Sequence, residues 1–359
     1  MKHSGTFAIC LAITATLVSG GCHDTVHTGR ATVLYVEEIL TSQGWEWDVL
    51  SSFDPRESRG SITVLDQDNV AASLVERFLK VDAVDNIDGR AVPDGLPDFA
   101  GEQIDIIADE SCLNIPLSES EELRTAAVRT FMAALDTAFS LGAFDDERLQ
   151  SKLPAKLVVY TSSINAEAGA FDVDTLCRST ECTIPVVFPS RVVIGQQLDR
   201  NIEHLHIAVL TDSLTAASGV YPRIFDEMSR SRGILGTGCT AFYAGSSSDM
   251  NSILSLYKAS GGNMPISALL IDDRSVNIEM LKTSLEEVLS VQNEANLNSR
   301  KLITRDLTLV DVEKAVADEC YRILRHRNIF THNISYPVSK SFMTVKSSSG
   351  DGYNLVEKD

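Results

Sequence analysis

The sequence is poor in positive charge. It contains 31 Lys and Arg residues against 50 Asp and Glu residues, which gives a formal net charge of −19 at pH 7. Nucleic acids and anionic membrane surfaces attract proteins with an excess of Lys and Arg. The acidic balance therefore argues against nucleic acid and against an anionic lipid surface as partners, and it says nothing about the fold.

Long apolar runs are also missing, and a membrane-spanning helix needs roughly 18 consecutive apolar residues. The run from Phe7 to Val18 is too short to span a bilayer but is typical of the core of a signal peptide. Small residues at 19–21 precede Cys22, which resembles a bacterial lipoprotein signal, although Ser19 stands where a larger apolar residue is usual. We therefore expect a palmitate-type lipid on Cys22 and a soluble protein tethered to a bacterial membrane in the cell envelope, on the periplasmic or surface side. A plain secretory signal that is cut nearby is the alternative.

Cysteine spacing of the zinc-binding kind is absent too. Five cysteines follow Cys22, at positions 112, 177, 182, 239 and 320, and their spacing matches no zinc pattern. We therefore predict neither a bound metal nor a cofactor. Cys177 and Cys182 are close enough in sequence to pair in an oxidising compartment, and two buried free thiols are the alternative.

From residue 61 onward, strand-like apolar runs alternate with amphipathic helical segments. This alternation predicts an α/β protein with parallel sheets and helices on both faces. Residues 82–101 are rich in Asp, Gly and Pro and are predicted to form a loop. Residues 22–60 are predicted as a tether and an N-terminal extension with one strand-like run, ATVLYV, and residues 331–359 as a loose polar tail.

The stretch from Ile207 to Tyr221 organises the chain. It begins with a buried-strand pattern, IAVL, continues through a polar cluster to Gly219, and leads into a helical segment with Pro222 in its first turn. A strand, a hydroxyl-rich loop and a helix N-terminus form the kind of polar pocket that suits small anions. An ordinary connection between a strand and a helix is the alternative. The hydroxyl groups that would line the pocket belong to Thr211, Ser213, Thr215 and Ser218.

The same stretch resembles a known family. The matching residues, as they stand, are Thr211, Thr215, Ser218, Gly219 and Tyr221. They match the loop that follows a strand in glutamate racemases and in the wider aspartate/glutamate racemase superfamily. The order and spacing of the elements over about residues 61–327 are similar as well.

The resemblance implies two similar three-layer α/β domains with parallel sheets and a ligand cleft between them. The first domain would hold residues 61–186 plus the returning residues 300–330, and the second would hold residues 187–299. The signal peptide would occupy residues 1–21.

The chemistry of that family needs two thiols, one on each face of the substrate α-carbon. The family's first cysteine position falls on Thr161 of this sequence and its second on Asp273. A shift of the register by one residue brings Tyr160 or Ser162 to the first position and Asp272 to the second, so neither position carries a thiol. The resemblance therefore implies a racemase-like frame without its catalytic thiols, which is a pseudoenzyme.

Acidic and hydroxyl side chains would line the cleft instead. Clustered carboxylates can raise one another's pKa and supply a general base, or they can favour a cationic or amine-bearing ligand or a metal. Capping of the next helices is the alternative. Ser162 and Ser163 stand where the family uses Asn and Thr to contact an amino acid. The predicted ligand-binding set is Asp66, Asp109, Thr161, Ser162, Ser163, Thr211, Ser213, Thr215, Ser218, Asp272 and Asp273.

Three functions are compatible with this sequence. The main prediction is an exported protein that binds a small polar ligand, amino-acid-like or carboxylate, without racemising it. The alternative is an enzyme of altered chemistry in which Asp273 or Asp66 acts as a single base on a small carboxylic or carbonyl substrate. A third function is an interaction subunit that contacts its partners through the N-terminal extension.

Overall fold

The computed structural model describes residues 30–66, 70–109, 120–142, 147–200, 204–234, 237–290, 294–346 and 353–358. The predicted signal peptide, the predicted lipidation site Cys22, and Cys112 lie outside these ranges. Among the residues described, no helix is both long enough and apolar enough to cross a bilayer.

The main strands follow short runs of β-branched and other apolar residues, which pack well on a pleated surface. Over the described ranges the strands are β1 (Ser61–Asp66), β2 (Gln103–Ala108), β3 (Ala138–Phe139), β4 (Gln150–Ser151), β5 (Ala155–Tyr160), β6 (Val186–Val187), β7 (His206–Thr211), β8 (Gly238–Phe242), β9 (Ile266–Asp272), β10 (Ile303–Asp311), β11 (Val338–Lys346) and β12 (Tyr353–Lys358).

Several helices begin at a short polar side chain that accepts a hydrogen bond from a backbone N–H of the first turn, which satisfies a donor that the helix itself cannot pair. These caps are Ser162, Asp212, Asp249, Asn277 and Asp311. The helices are α1 (Leu34–Ser42), α2 (Trp45–Ser51), α3 (Ala71–Lys80), α4 (Ser120–Leu135), α5 (Ser163–Ser179), α6 (Pro189–Leu198), α7 (Ser213–Ser218), α8 (Val220–Ser231), α9 (Met250–Ala259), α10 (Ile278–Leu289), α11 (Glu294–Arg300) and α12 (Val312–Arg327).

Two sheets with mainly parallel strands form the frame. The first has the strand order β12-β11-β2-β1-β5-β6, and its neighbouring strands are parallel except for the antiparallel pair β11 and β12. The second has the order β10-β9-β7-β8 and is parallel throughout. The predicted α/β class with parallel sheets is confirmed.

Helices cover both faces of each sheet. The outer face of the first sheet packs on α4 and α5, where Leu65 and Phe131 belong to one hydrophobic cluster, and the outer face of the second packs on α9 and α10. The inner faces share one hydrophobic cluster, in which Val64 of β1 and Val209 of β7 belong with side chains of α3, α6, α8 and α12. The two sheets are therefore held together by a common core.

The N-terminal extension folds differently from the prediction. The run ATVLYV does not form a strand, because α1 begins within it at Leu34. Val33, Val36 and Ile39 recur at helical spacing and are buried in the core on the outer face of the first sheet, where Leu50 of α2 joins them. The extension is thus part of the folded unit.

The C-terminal segment also differs from the loose tail predicted for residues 331–359. Within it, β11 pairs in parallel with β2, and β12 pairs with β11. Phe342 and Leu355 are fully buried in the core of the first sheet. Pairing with a strand more than 200 residues away in sequence, as in Val338 with Gln103, is invisible to local composition.

The structure differs as well from the predicted return of residues 300–330 to the first domain. The strand of this segment, β10, pairs with β9 in the second sheet. Its helix, α12, contributes Val312, Val316 and Leu324 to the cluster that both sheets share.

Candidate functional site

Polar side chains stand at the carboxyl ends of strands in both sheets. In the first sheet, β1 ends at Asp66, Asp109 follows β2 directly, and Thr161 follows β5. In the second sheet, β7 ends at Thr211 and β9 ends at Asp272, and these two residues are register partners. Proteins with open parallel sheets bind ligands at this edge. The structure therefore places these predicted site residues at the strand ends expected of them.

A chain of three hydrogen-bonded side chains connects the two sheets. Ser163, the first residue of α5, donates its hydroxyl proton to the Tyr221 phenol oxygen at 3.2 Å. Tyr221, on α8, donates to Asp272 Oδ2 at 2.7 Å. Ser163 and Tyr221 are buried, and Asp272 is half-buried. The phenol thus fixes the Asp272 carboxyl group relative to the first sheet.

Burial raises the pKa of Asp272 far above that of an ordinary carboxyl group. Its pKa rises to about 7 because burial disfavours the charged carboxylate, while the Tyr221 hydrogen bond and the positive charge of Arg274 oppose the rise. Burial also raises the pKa of the Tyr221 phenol well above its ordinary value, so the phenol stays protonated and remains a donor. Asp272 therefore changes its protonation state near neutral pH.

Tyr221 and Arg274 are functional candidates that the predicted ligand-binding set did not contain. Tyr221 was among the residues that match the racemase loop, which was the signal for it. Arg274 follows the predicted Asp272 and Asp273, and its sequence context carried no comparable signal.

The two residues predicted as single bases serve local structure. Asp66 Oδ1 accepts hydrogen bonds from the backbone N–H of Val70 at 2.7 Å and of Ala71 at 3.1 Å, at the start of α3. Asp273 Oδ1 accepts from the backbone N–H and the hydroxyl of Ser275. The carboxyl group that contacts the buried phenol is instead that of Asp272.

The predicted residues of the first sheet are mostly turned inward. Asp109 is buried, and its Oδ2 accepts from the Thr130 hydroxyl of α4 at 2.9 Å. The Thr161 hydroxyl donates to the Leu65 carbonyl at 2.9 Å. Ser162 caps α5. Ser163 contacts Tyr221 of α8, a helix that follows β7 of the second sheet.

The stretch predicted as a hydroxyl-rich loop forms a short helix, α7. The Asp212 carboxylate caps it by accepting from the backbone N–H groups of Leu214 and Thr215 at 2.8 and 3.0 Å. Gly219 then takes the left-handed conformation, with φ 63°, between α7 and α8. The polar side chains favoured this capped turn over an open loop.

The hydroxyls of this stretch divide between interior and surface. Thr211 and Thr215 are buried, whereas Ser213 is exposed. Ser218 donates to the Thr215 carbonyl at 2.7 Å and accepts from the Val220 N–H at 3.2 Å. Ser218 therefore supports the junction of the two helices.

Polar contacts also join α3 to the start of α12, beside the end of β9. Arg77 Nη2 lies 2.6 Å from Asp311 Oδ2, and the Ser73 hydroxyl donates to Glu313 Oε1 at 2.6 Å. Arg274 Nε donates to the same Glu313 oxygen at 2.5 Å. These contacts hold the loop behind Asp272 against a helix of the first sheet.

The described cysteines lie away from the carboxyl ends of the strands. Cys239 is the second residue of β8, near its amino end, and burial raises the pKa of its thiol. Cys320 is buried in α12, and Cys177 and Cys182 lie at and beyond the end of α5. Within the described part of the chain, no group of three or more His, Cys, Asp or Glu side chains is arranged to hold a metal ion.

Several solved structures are similar to this chain. Glutamate racemase isoform RacE1 from Bacillus anthracis has 14% sequence identity and a TM-score of 0.48, covering 80% of this chain and 90% of that one. Glutamate racemase from Thermus thermophilus, in complex with β-chloro-D-alanine, has 13% identity and a TM-score of 0.45, covering 82% and 91%. An aspartate racemase homologue from Pyrococcus horikoshii has 10% identity and a TM-score of 0.36, covering 75% and 99%. No family model and no curated protein sequence matches the chain.

The raised pKa of Asp272 predicts a pH-dependent loss of stability. The folded-state value of about 7 lies above the value of about 3.9 for an unfolded Asp, so the folded state alone keeps this proton between these pH values. The contribution of Asp272 to the free energy of unfolding is therefore fully present below about pH 4 and is lost as the pH rises to 7, by up to about 4 kcal/mol.

The variant Asp272→Asn tests this assignment, because its amide oxygen can still accept from Tyr221 but does not titrate. Urea unfolding of this variant should show a smaller loss of free energy of unfolding between about pH 4 and pH 7. Ser213→Ala, a nearby exposed change, should follow the wild type; parallel curves for Asp272→Asn and the wild type would contradict the assignment.

Proposed function

We propose that this protein is an exported binding protein that holds a small polar ligand between its two sheets without racemising it. The observation that carries the proposal is the hydrogen-bonded chain of Ser163, Tyr221 and Asp272. It provides a half-buried carboxyl group at a strand end, held in place by a buried phenol that belongs to a core shared by both sheets. Preorganised polar groups of this kind fix the orientation of small ligands.

The chemistry of the site favours an amino-acid-like ligand. Ionised Asp272 accepts hydrogen bonds from an ammonium group, and protonated Asp272 donates to a carboxylate or carbonyl oxygen. Arg274 acts electrostatically on Asp272, so a positive charge lies nearby. A molecule that carries both an amine and a carboxylate can use both charges.

Two features support binding without racemisation. Inversion at an α-carbon by two bases needs a proton-transfer group on each face. At the family's first cysteine position, the Thr161 hydroxyl is buried and bonded to the Leu65 carbonyl, and the second position carries Asp272 or Asp273. The racemase-like origin of the frame rests on the sequence resemblance described above.

The binding proposal predicts a ligand whose effect depends on Asp272. A thermal-shift screen of D- and L-amino acids, amines and small carboxylates at pH 7 should yield compounds that raise the melting temperature, because a ligand specific to the native state stabilises it. Asp272→Asn should weaken the best compound by about 10- to 100-fold, which is the loss of a hydrogen bond to a charged group. Asp226→Asn, an exposed carboxyl on α8, is the matched control and should bind normally. Undiminished binding by Asp272→Asn would place the ligand elsewhere.

A second candidate function is proton transfer by Asp272. A general base works best when its pKa lies close to the operating pH, and burial brings that of Asp272 to about 7. The Tyr221 phenol would hold the carboxyl group in place during the transfer. This proposal moves the predicted single-base role from Asp66 or Asp273 to Asp272.

Exchange of the α-hydrogen of a substrate for deuterium distinguishes the proton-transfer function from the binding function. In D2O, an enzyme with a single base should exchange the α-hydrogen of an enantiopure amino acid or related acid for deuterium with retention of configuration, and Asp272→Asn should reduce the rate at least about 100-fold. Mass spectrometry measures the exchange, and chiral chromatography measures the configuration. A pure binding protein gives neither exchange nor inversion. Inversion would contradict both functions proposed here.

We also propose that the protein is anchored through a lipid on Cys22. The support is the signal-like run from Phe7 to Val18 and the small residues before Cys22. The first described residues are fixed to the folded unit, since Val33 N–H donates to Asp172 at 3.0 Å and Arg124 donates to the Ala31 carbonyl at 2.8 Å. Residues 22–29 would then serve as the tether.

The anchor predicts a fractionation result in a bacterial host. Cys22→Ser should move the protein from the membrane fraction to the soluble or precursor pool and abolish incorporation of labelled palmitate, because the acylated thiol is gone. Cys10→Ser, a cysteine within the signal core, is the control and should keep both properties. A Cys22→Ser protein that stayed lipidated in the membrane would exclude this anchor.

A further inference from the structure

Two buried thiols meet where α5 ends. Thr180 follows the helix as its C-cap, and Glu181 adopts a left-handed conformation, with φ 57°, that turns the chain back. Cys182 thereby reaches Cys177, and the two side chains hydrogen-bond to each other. Both belong to the core on the outer face of the first sheet, and each is only 6% exposed.

We propose that Cys177 and Cys182 form a disulfide that fastens the carboxyl end of α5 to the segment leading into β6. The sequence left open whether these residues pair or stay free; in the structure both are free thiols, and the contact between their side chains supports pairing. A disulfide requires the two sulfur atoms to approach with little backbone movement, and the left-handed turn at Glu181 lies between the two cysteines in the chain.

The order of the chemical steps follows from the hydrogen bond. The hydrogen bond between the two thiols lowers the pKa of Cys182 and raises that of Cys177. With a disulfide such as oxidised glutathione as oxidant, the Cys182 thiolate attacks one of its sulfur atoms and forms a mixed disulfide, and one glutathione thiolate leaves. Cys177 then loses its proton and attacks the Cys182 sulfur, the internal bond forms, and the second thiolate leaves. The pair gives two electrons to the oxidant, and its two protons end on the released thiolates.

The bond would act on a helix that serves the candidate site. α5 begins at Ser163, which contacts Tyr221, and it also carries Glu167, whose carboxylate pairs with Arg191 of α6 at 2.6 Å. Fixing the far end of α5 limits fraying of this helix. Because the closed loop is short, the chain-entropy model assigns the bond a smaller stabilisation than a long loop would give.

Peptide mapping tests the proposal on the mature chain. The purified protein is reduced, freed of reductant, equilibrated with oxidised glutathione, then unfolded in guanidinium chloride with iodoacetamide and digested. We expect a peptide in which Cys177 is joined to Cys182, and the same two residues alkylated when reductant is present. Cys320, a buried thiol in another helix, provides the reference for an unpaired cysteine.

Two variants test which cysteines are joined. Cys320→Ser should leave the linked peptide unchanged, whereas Cys177→Ser should leave Cys182 alkylated and joined to no other cysteine of the chain. Alkylation of Cys177 and Cys182 to the same extent as Cys320 after oxidation would overturn the proposal, as would a stable bond from either residue to a different cysteine. The test needs no ligand, so its failure would leave the binding proposal untouched.

Discussion

The phenol of Tyr221 is the contact on which the candidate site depends. It is fully buried, it accepts a hydrogen bond from Ser163 of the first sheet's helix, and it donates one to Asp272 at the end of the second sheet. Leaving a buried hydroxyl unpaired costs about 1–3 kcal/mol. The phenol keeps both hydrogen bonds only while the two sheets hold their relative position. The geometry of the site therefore depends directly on how the sheets pack.

Apolar packing in the shared core reinforces that constraint. Tyr221 itself belongs to the cluster that includes Val64 of β1 and Val209 of β7, so the ring is held by apolar contacts while its oxygen is held by polar ones. The contacts of Arg77 with Asp311 and of Ser73 with Glu313 tie α3 to α12 at a second place. Two separate polar connections around one apolar core resist relative rotation of the sheets better than either alone.

The sequence correctly predicted the features that depend on neighbouring residues, namely the strands and the polar positions at their ends. Apolar runs gave the parallel strands, and polar residues directly after them, such as Asp272, gave the strand-end positions. The predictions for the N-terminal extension and the C-terminal segment were wrong because the structure of both depends on contacts with residues far away in the sequence. The run ATVLYV has strand-like composition, but burial of Val36 and Ile39 on one face makes it helical. The polar tail became β11 because β2 offered an edge. Which strand-end carboxylate would contact the buried phenol could not be predicted from the sequence, since it depends on where Tyr221 lies.

The proposed role of Asp272 has a stereochemical consequence. A carboxyl group that titrates near pH 7 can take up and return a proton, but only on the face that it occupies. Thr161, which the sequence resemblance assigned to the other proton-transfer position, is buried and donates its hydroxyl proton to the Leu65 carbonyl. A threonine hydroxyl also ionises far above neutral pH, so without an assisting base it cannot remove an α-proton near pH 7. Proton exchange by Asp272 alone would therefore proceed with retention, and the same asymmetry would suit a pocket that recognises one enantiomer of its ligand without converting it into the other.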